Sequence, residues 1–266
     1  LFHLHLQLVA FLSLYTMRWI LPCLIALLFG GQSFGQRSVR DSTLSFASLG
    51  AHVGMQYPFA NLSERFGYGG IAGAELMIKK KKNFMIELEY GYIFGSRVKE
   101  DTILQPLLTS QNFIVNREGE PADVFLAQRG FITYLKVGKI FPVFKANPNS
   151  GIHATVGFGY MQHKINITEA SQKVPQLIGD YLKGYDRFTN GFLASQSFGY
   201  SHFSDYKLVN YYIGVEFVEG FTQNRRAINF DTGVNDPTKR MDVMGSMVFR
   251  WYFPIYKRQP QEFYFY

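Results

Sequence analysis

From residue 84 to 94 the chain reads Phe-Met-Ile-Glu-Leu-Glu-Tyr-Gly-Tyr-Ile-Phe, with every even position apolar or aromatic and Glu87, Glu89 and Gly91 on the odd row. Successive side chains of a strand point to opposite faces, so this segment predicts a strand that is greasy on one face only. The pattern returns near the C-terminus as Val243, Gly245, Met247, Phe249, Trp251, Phe253 and Ile255, opposite a row holding Asp242, Ser246, Arg250 and Tyr252. Both segments are long enough to cross a bilayer at a tilt.

Period-two alternation predicts eight strands, at residues 44–57, 67–78, 83–97, 128–141, 151–166, 188–203, 207–221 and 239–255. Eight strands close the smallest common barrel. The expected fold is therefore all-β: a transmembrane antiparallel up-and-down β-barrel with long loops at one end. The connections 79–82, 142–150 and 204–206 are short, whereas 98–127, 168–187 and 222–238 are long, and the two kinds alternate. In outer-membrane barrels short turns face the periplasm and long loops face outward, which makes both termini periplasmic. A soluble barrel of the lipocalin kind would also alternate, but its polar row would be crowded with charges. Here the polar rows are mainly Gly, Ser, Tyr and Thr, which suits a narrow packed lumen.

Composition agrees: 17% of the residues are aromatic and the formal net charge is +7. Met17 and Arg18 precede an apolar run from Trp19 to Phe29 and a small-residue site at Ser33-Phe34-Gly35, the layout of an export signal over residues 17–35. Residues 1–16 are expected to be upstream or mis-called sequence. A transmembrane helix over 6–31 is the rival, with Arg18 in its middle. Pro22 before Cys23 argues against a lipid anchor. Removing the signal leaves a barrel over 36–256 with no cysteine and a net charge of +6. Export makes nucleic acid an unexpected partner, and outer-membrane lipid the expected one.

The inward rows place Glu75, Glu87, Glu89 and Glu216 in one lumen with Lys136 and Arg250, and with His153 and Lys139 as further members. Opposite charges buried together must pair. They are expected either to plug the barrel or to line a proton or ion path. The Lys79–Lys82 run reads as a turn at the periplasmic rim. Val174, Leu177, Ile178, Tyr181, Leu182 and Tyr185 recur at helical spacing and predict a short amphipathic helix in a loop, a candidate partner-binding element. Asp186 and Arg187 beside it read as loop-locking partners. In 98–127, Phe113 to Val115 and Val124 to Leu126 predict a hairpin turning near Glu118-Gly119. No metal or cofactor is expected; Arg225, Arg226, Asp231 and Asp236 are too scattered for calcium, and no Gly-rich phosphate loop, HExxH, CxxC or GxSxG motif occurs.

One enzyme-like set remains. His202 and Ser204, with Glu216 on the next strand, supply the imidazole, hydroxyl and carboxylate that acyl transfer needs. Their spacing resembles outer-membrane lipid A 3-O-deacylases, although Asp205 stands where that family has an asparagine. Taken whole, Gly50-Ala51-His52-Val53-Gly54, Arg65-Phe66-Gly67, Gly184-Tyr185-Asp186-Arg187 and Trp251-Tyr252-Phe253-Pro254 resemble Bacteroidetes-type small outer-membrane barrels, broadly PorT-like. That resemblance implies a non-enzymatic barrel serving as an accessory subunit of a secretion, assembly or uptake machine. A lipid A hydrolase and a narrow pore stand as alternatives. Residues 257–266 are expected to be a periplasmic tail or the true end of the last strand.

Overall fold

The computed structural model describes residues 42–143, 147–206 and 208–255. The expected segments 1–16 and 17–35 and the tail 257–266 lie outside these residues. Eight long strands form one closed antiparallel barrel: β1 (Phe46–Phe59), β2 (Gly69–Lys79), β3 (Phe84–Gly95), β6 (Val124–Pro142), β7 (Gly151–Glu169), β8 (Thr189–His202), β9 (Tyr211–Asn224) and β10 (Lys239–Ile255). A six-residue helix, α1 (Ala60–Arg65), follows β1, and two short strands, β4 (Ile114–Val115) and β5 (Pro121–Ala122), pair outside the barrel. Closure is made by β1, which pairs with β2 on one side and β10 on the other. A closed sheet has no edge, so every backbone donor and acceptor in the wall has a strand to bond.

The side-chain rows follow the alternation. Along β3 the even residues are exposed, with Leu88 at 53%, while Met85, Glu87, Glu89 and Ile93 are buried. Outward neighbours on successive strands stack into an aromatic surface; Tyr90, Phe131 and Tyr160 lie with ring centroids about 6 Å apart. An exterior of Leu, Val, Phe, Tyr and Trp around a lumen of Glu, Lys, Arg, His and Ser is the reverse of a water-soluble barrel. It is the surface of a transmembrane barrel.

The inside is layered. Near the short turns Phe46, Met77, Met85, Ile140, Phe203, Tyr212 and Tyr252 fill the lumen. Lys79 does not belong to the exposed lysine turn as expected. Its row faces inward, and its Nζ is buried against the Leu44 carbonyl (3.0 Å) and Asn149 Oδ1 (2.8 Å). Asn83 closes the 80–83 turn in a left-handed conformation (φ 61°), and its Nδ2 donates to the Pro148 carbonyl at 2.9 Å. At the other end Leu62 of α1, Phe66, Ile103, Leu104, Ile114, Val174, Leu177 and Tyr185 form an apolar core over the mouth.

Two expectations for the loops are corrected. β6 and β7 pair from Pro142↔Gly151 up to Val124↔Glu169, so residues 124–126 continue the wall and do not form a hairpin with 113–115. That hairpin is instead β4 with β5, turning through Asn116, whose Oδ1 accepts from the amides of Glu118 and Glu120. The predicted amphipathic helix is two 3₁₀ turns, Pro175–Leu177 and Tyr181–Gly184, parted by Gly179 at φ 60°. A residue in the left-handed region cannot continue a right-handed helix.

Placing Arg at Leu88, midway along β3 on the outer face, is expected to destabilise the barrel in phospholipid vesicles by ~2–4 kcal/mol, while Phe125→Arg near the long-loop end changes it by ~0–1 kcal/mol. Urea titrations followed by tryptophan fluorescence measure both. Equal costs at the two positions would contradict an apolar medium around the wall.

Candidate functional site: the charged belt in the lumen

At mid-height the inward rows of all eight strands converge on one polar layer. His52 comes from β1, Glu75 from β2, Glu87 and Glu89 from β3, Lys136 from β6, His153 from β7, Ser201 from β8, Glu216 from β9 and Arg250 from β10. Each is a polar residue on a row that its neighbours hold inward, and the register brings them level, with Glu75 opposite Glu89 and His52 opposite Arg250.

Arg250 is the hub. Its Nε lies 2.9 Å from Glu75 Oε2, and its Nη2 reaches Glu89 Oε2 at 3.2 Å and also binds Glu216 Oε2. Lys136 Nζ bridges Glu89 Oε2 (2.7 Å) and Glu216 Oε2 (2.8 Å). Tyr134 donates its hydroxyl to Glu216 Oε1 at 2.5 Å. His153 places Nε2 3.2 Å from Glu87 Oε1 and bonds Ser201 Oγ through Nδ1 at 2.6 Å. Both cations sit over aromatic rings, Arg250 on Tyr212 and Lys136 on Tyr134. Of the six expected residues, Glu75, Glu89, Glu216, Lys136 and Arg250 pair among themselves, and Glu87 lies against His153 instead.

Desolvating these groups is expensive, and only multiple, well-placed partners offset it. Tyr134, Tyr212, Arg250 and Lys136 are among the largest fully buried side chains. A gap beside them, lined by His52, Glu89, Tyr134, Glu216 and Met244, is too tight for a water molecule. Lys139, expected here, is not; it shares the outward row of Leu135 and Val137 and lies over the rings of Phe84 and Phe141.

A second polar layer, missed from the sequence, lies under α1. Arg65 turns into the lumen and pairs with Asp242 Oδ1 at 2.5 Å, while Asp242 Oδ2 accepts from Thr222 Oγ1 (2.6 Å) and contacts His163 Nε2 (2.9 Å). Row parity alone could have placed His163 and Asp242 inside. Arg65 could not be placed that way, because it belongs to a helix of six residues.

The loops are tied together above. Arg187 binds Glu100 Oε2 (3.0 Å) and Asp231, and Asp186 accepts from Arg226 Nε and Nη2 at 2.7 and 2.5 Å. Burial works against the charge on Arg187, but Asp231 and Glu100 outweigh it and hold its pKa above the ordinary value. Three loops thereby become one cap. Of the candidate partner-binding residues, Val174, Leu177 and Tyr185 belong to the core of that cap and Leu182 packs against it. Ile178 and Tyr181 remain exposed, Tyr181 at 66%.

The His202, Ser204 and Glu216 set does not assemble. Glu216 faces the lumen, whereas His202 faces outward and packs its ring on Tyr211 at 5.4 Å. The register pairs Ser197 with Glu216 and His202 with Tyr211, which separates the two side chains by five residues along the strand, roughly 17 Å. Ser204 lies past the strand end, where its Oγ accepts from the Tyr206 amide at 3.2 Å. Strand parity rules the triad out.

Removing one hub partner strands the others: Arg250→Met is expected to cost ~3–5 kcal/mol of unfolding free energy, and adding Glu216→Gln to recover part of it. Equilibrium unfolding of the single and double variants checks this. A change within ~0.5 kcal/mol for Arg250→Met would mean that the belt carries no net stability.

No protein-family model matches the sequence, and no curated protein matches it. Among solved structures the fold is similar to Neisserial surface protein A, with TM-score 0.41 and 10% identity over 78% of this chain and 96% of that one. It is also similar to the N-terminal β-barrel domain of Pseudomonas aeruginosa OprF, with TM-score 0.36 and 12% identity over 79% and 100% of the two chains. The outer membrane protein OprG from the same organism gives 0.33 and 9% over 82% and 99%.

Proposed function

We propose that this chain is a non-catalytic barrel of the bacterial outer membrane, plugged by its charged belt, that binds a protein partner through its ordered loops. The observation that carries the reading is the combination of a filled lumen with a cap built from three loops. A lumen packed with paired charges offers no wide path for a solute, and an eight-stranded barrel leaves room only for side chains. The apolar exterior supports a lipid surround, and the alternation of short turns with long loops supports an orientation with the turns and both termini in the periplasm.

Within the cap, Ile178 and Tyr181 flank Gly179 at an exposed tip, so this is the place where a partner meets apolar surface on a rigid base. The resemblance to Bacteroidetes-type barrels, broadly PorT-like, supports an accessory role in an envelope secretion, assembly or uptake complex. The lipid A hydrolase alternative has no assembled triad behind it.

Fractionation and heat-modifiable migration test the barrel: the protein is expected in the outer membrane with a folded form that runs differently from the boiled one, and recovery as a soluble periplasmic protein would sink the reading. Reconstituted in planar bilayers, it is expected to give no regular single-channel steps. Ile178→Ala with Tyr181→Ala is expected to leave migration unchanged and to abolish copurification of the partner from detergent-solubilised membranes. Retention of every copurifying protein would exclude that tip as the contact. Lipid A mass spectra are expected to be identical with and without His202→Ala.

A further inference from the structure

The belt contains four carboxylates, Glu75, Glu87, Glu89 and Glu216, and two side chains that carry a fixed positive charge, Lys136 and Arg250. Lys79, the second buried lysine among the described residues, is engaged near the short turns by the Leu44 carbonyl and Asn149 Oδ1 and does not reach these acids. Four acidic side chains around two fixed cations leave the layer short of partners for its carboxylate oxygens, where an unpaired polar group is costly.

The shortfall has a place. Arg250 and Lys136 take up the Oε2 atoms of Glu75 and Glu89. Neither oxygen of Glu75 has a hydrogen-bond partner, Oε2 meeting Arg250 Nε only as an ion pair at 2.9 Å, and Glu89 Oε1 faces His52 Nε2 at 3.5 Å. Neither ring nitrogen of His52 has a hydrogen-bond partner, although the residue is only 2% exposed. One donor atom from each of His52, Glu75 and Glu89 lies within 4.8 Å of the others.

The backbone leaves room for these side chains. A Cβ at Gly50 would come within 2.8 Å of Glu75 Cγ, and one at Gly73 within 2.7 Å of His52 Cε1. Those two glycines give Glu75 and His52 the space in which they converge.

We infer that His52, Glu75 and Glu89 form a buried site for one divalent transition-metal ion of the zinc class. One imidazole nitrogen with two carboxylate oxygens supplies three of the four ligands that a zinc ion takes, all of donor types it accepts. Around it Lys136 and Arg250 donate to Glu89 Oε2 and Arg250 lies in ion-pair contact with Glu75 Oε2, outer-shell partners of the kind that orient ligands in metal sites. Its role is structural, clipping the neighbouring strands β1, β2 and β3 together on their lumen face, because the packed interior gives no route for substrate. The sequence carries no ligand-spacing motif because the three ligands sit on three strands, at 52, 75 and 89.

The test uses the full barrel refolded into detergent in the presence of zinc, desalted, and assayed for metal by mass spectrometry, with folding verified by heat-modifiable migration. About one zinc per chain is expected in the wild type, falling below about a tenth of that in His52→Gln and in Glu75→Gln. Glu87→Gln removes a charge from the same layer without removing a ligand and is expected to keep its zinc. A folded wild type that retains no zinc overturns the site, as does loss of zinc from Glu87→Gln equal to that from His52→Gln. Should the ligand variants fail to fold, cobalt(II) refolded into the wild type decides. Visible absorption of protein-bound cobalt in a low-symmetry nitrogen and oxygen site is expected, and a spectrum identical to that of hydrated cobalt overturns the inference.

Discussion

In hydrocarbon a backbone amide has nothing to bond except another part of the chain, and an unpaired group there costs several kcal/mol. That constraint makes β1 meet β10, and much of the rest follows from the closure. Once the sheet is a cylinder, alternate residues have no choice but to point into it. Eight strands leave a bore only a few side chains wide. Every polar residue on an inward row must then find its partner among the other seven strands. The belt around Arg250 is the solution reached here, and α1 with the Arg65 and Asp242 pair is a second, higher one.

The loops answer to the same constraint from outside. β6 and β7 pair over 19 residues each, longer than any other strand, and their far ends carry Val124, Leu126, Ile165 and Ile167 into the apolar core of the cap. The raised hairpin gives the long loops a wall to pack against; Asp186 fastens its loop to β7 through the Ile165 amide and Lys164, and Arg187 and Asp186 join the neighbouring loops to one another. A cap held in this way presents a fixed surface at the barrel mouth. This is why the apolar residues of the loop 168–187 divide into those that hold the cap and those left for something else.

How much was legible from the chain depended on period. Where a row of Leu, Phe and Tyr faced a row of Glu, Gly and Ser, as in β3 and β10, parity placed nearly every side chain correctly, including the six charges of the belt. Parity also held the answer where it was overlooked: Lys139 shares the outward row of Leu135 and Val137, and Lys79 shares the inward row of Met77 and Glu75. His202 and Glu216 belong to opposite faces for the same reason. The loops were less legible because short segments take their form from tertiary contacts. Helical spacing at 174–185 reported apolar contacts in the cap, but Gly179 splits the segment into two turns. Arg65 reaches Asp242 across 177 residues of sequence, and no local pattern announces that.

The belt draws at least one member from each of eight strands, and this bears on how the chain finds its register. A slip of one residue in β10 would turn Arg250 out into lipid, and the alternation of the whole strand would oppose it. A slip of two residues is the more dangerous error, because every greasy side chain still faces outward and every backbone bond can still form. Such a slip moves the Arg250 guanidinium by roughly 7 Å, out of reach of Glu75, Glu89 and Glu216 at once. The buried charges therefore act as a proofreading layer: they distinguish the native strand alignment from the nearest misaligned barrel that hydrophobicity alone would accept.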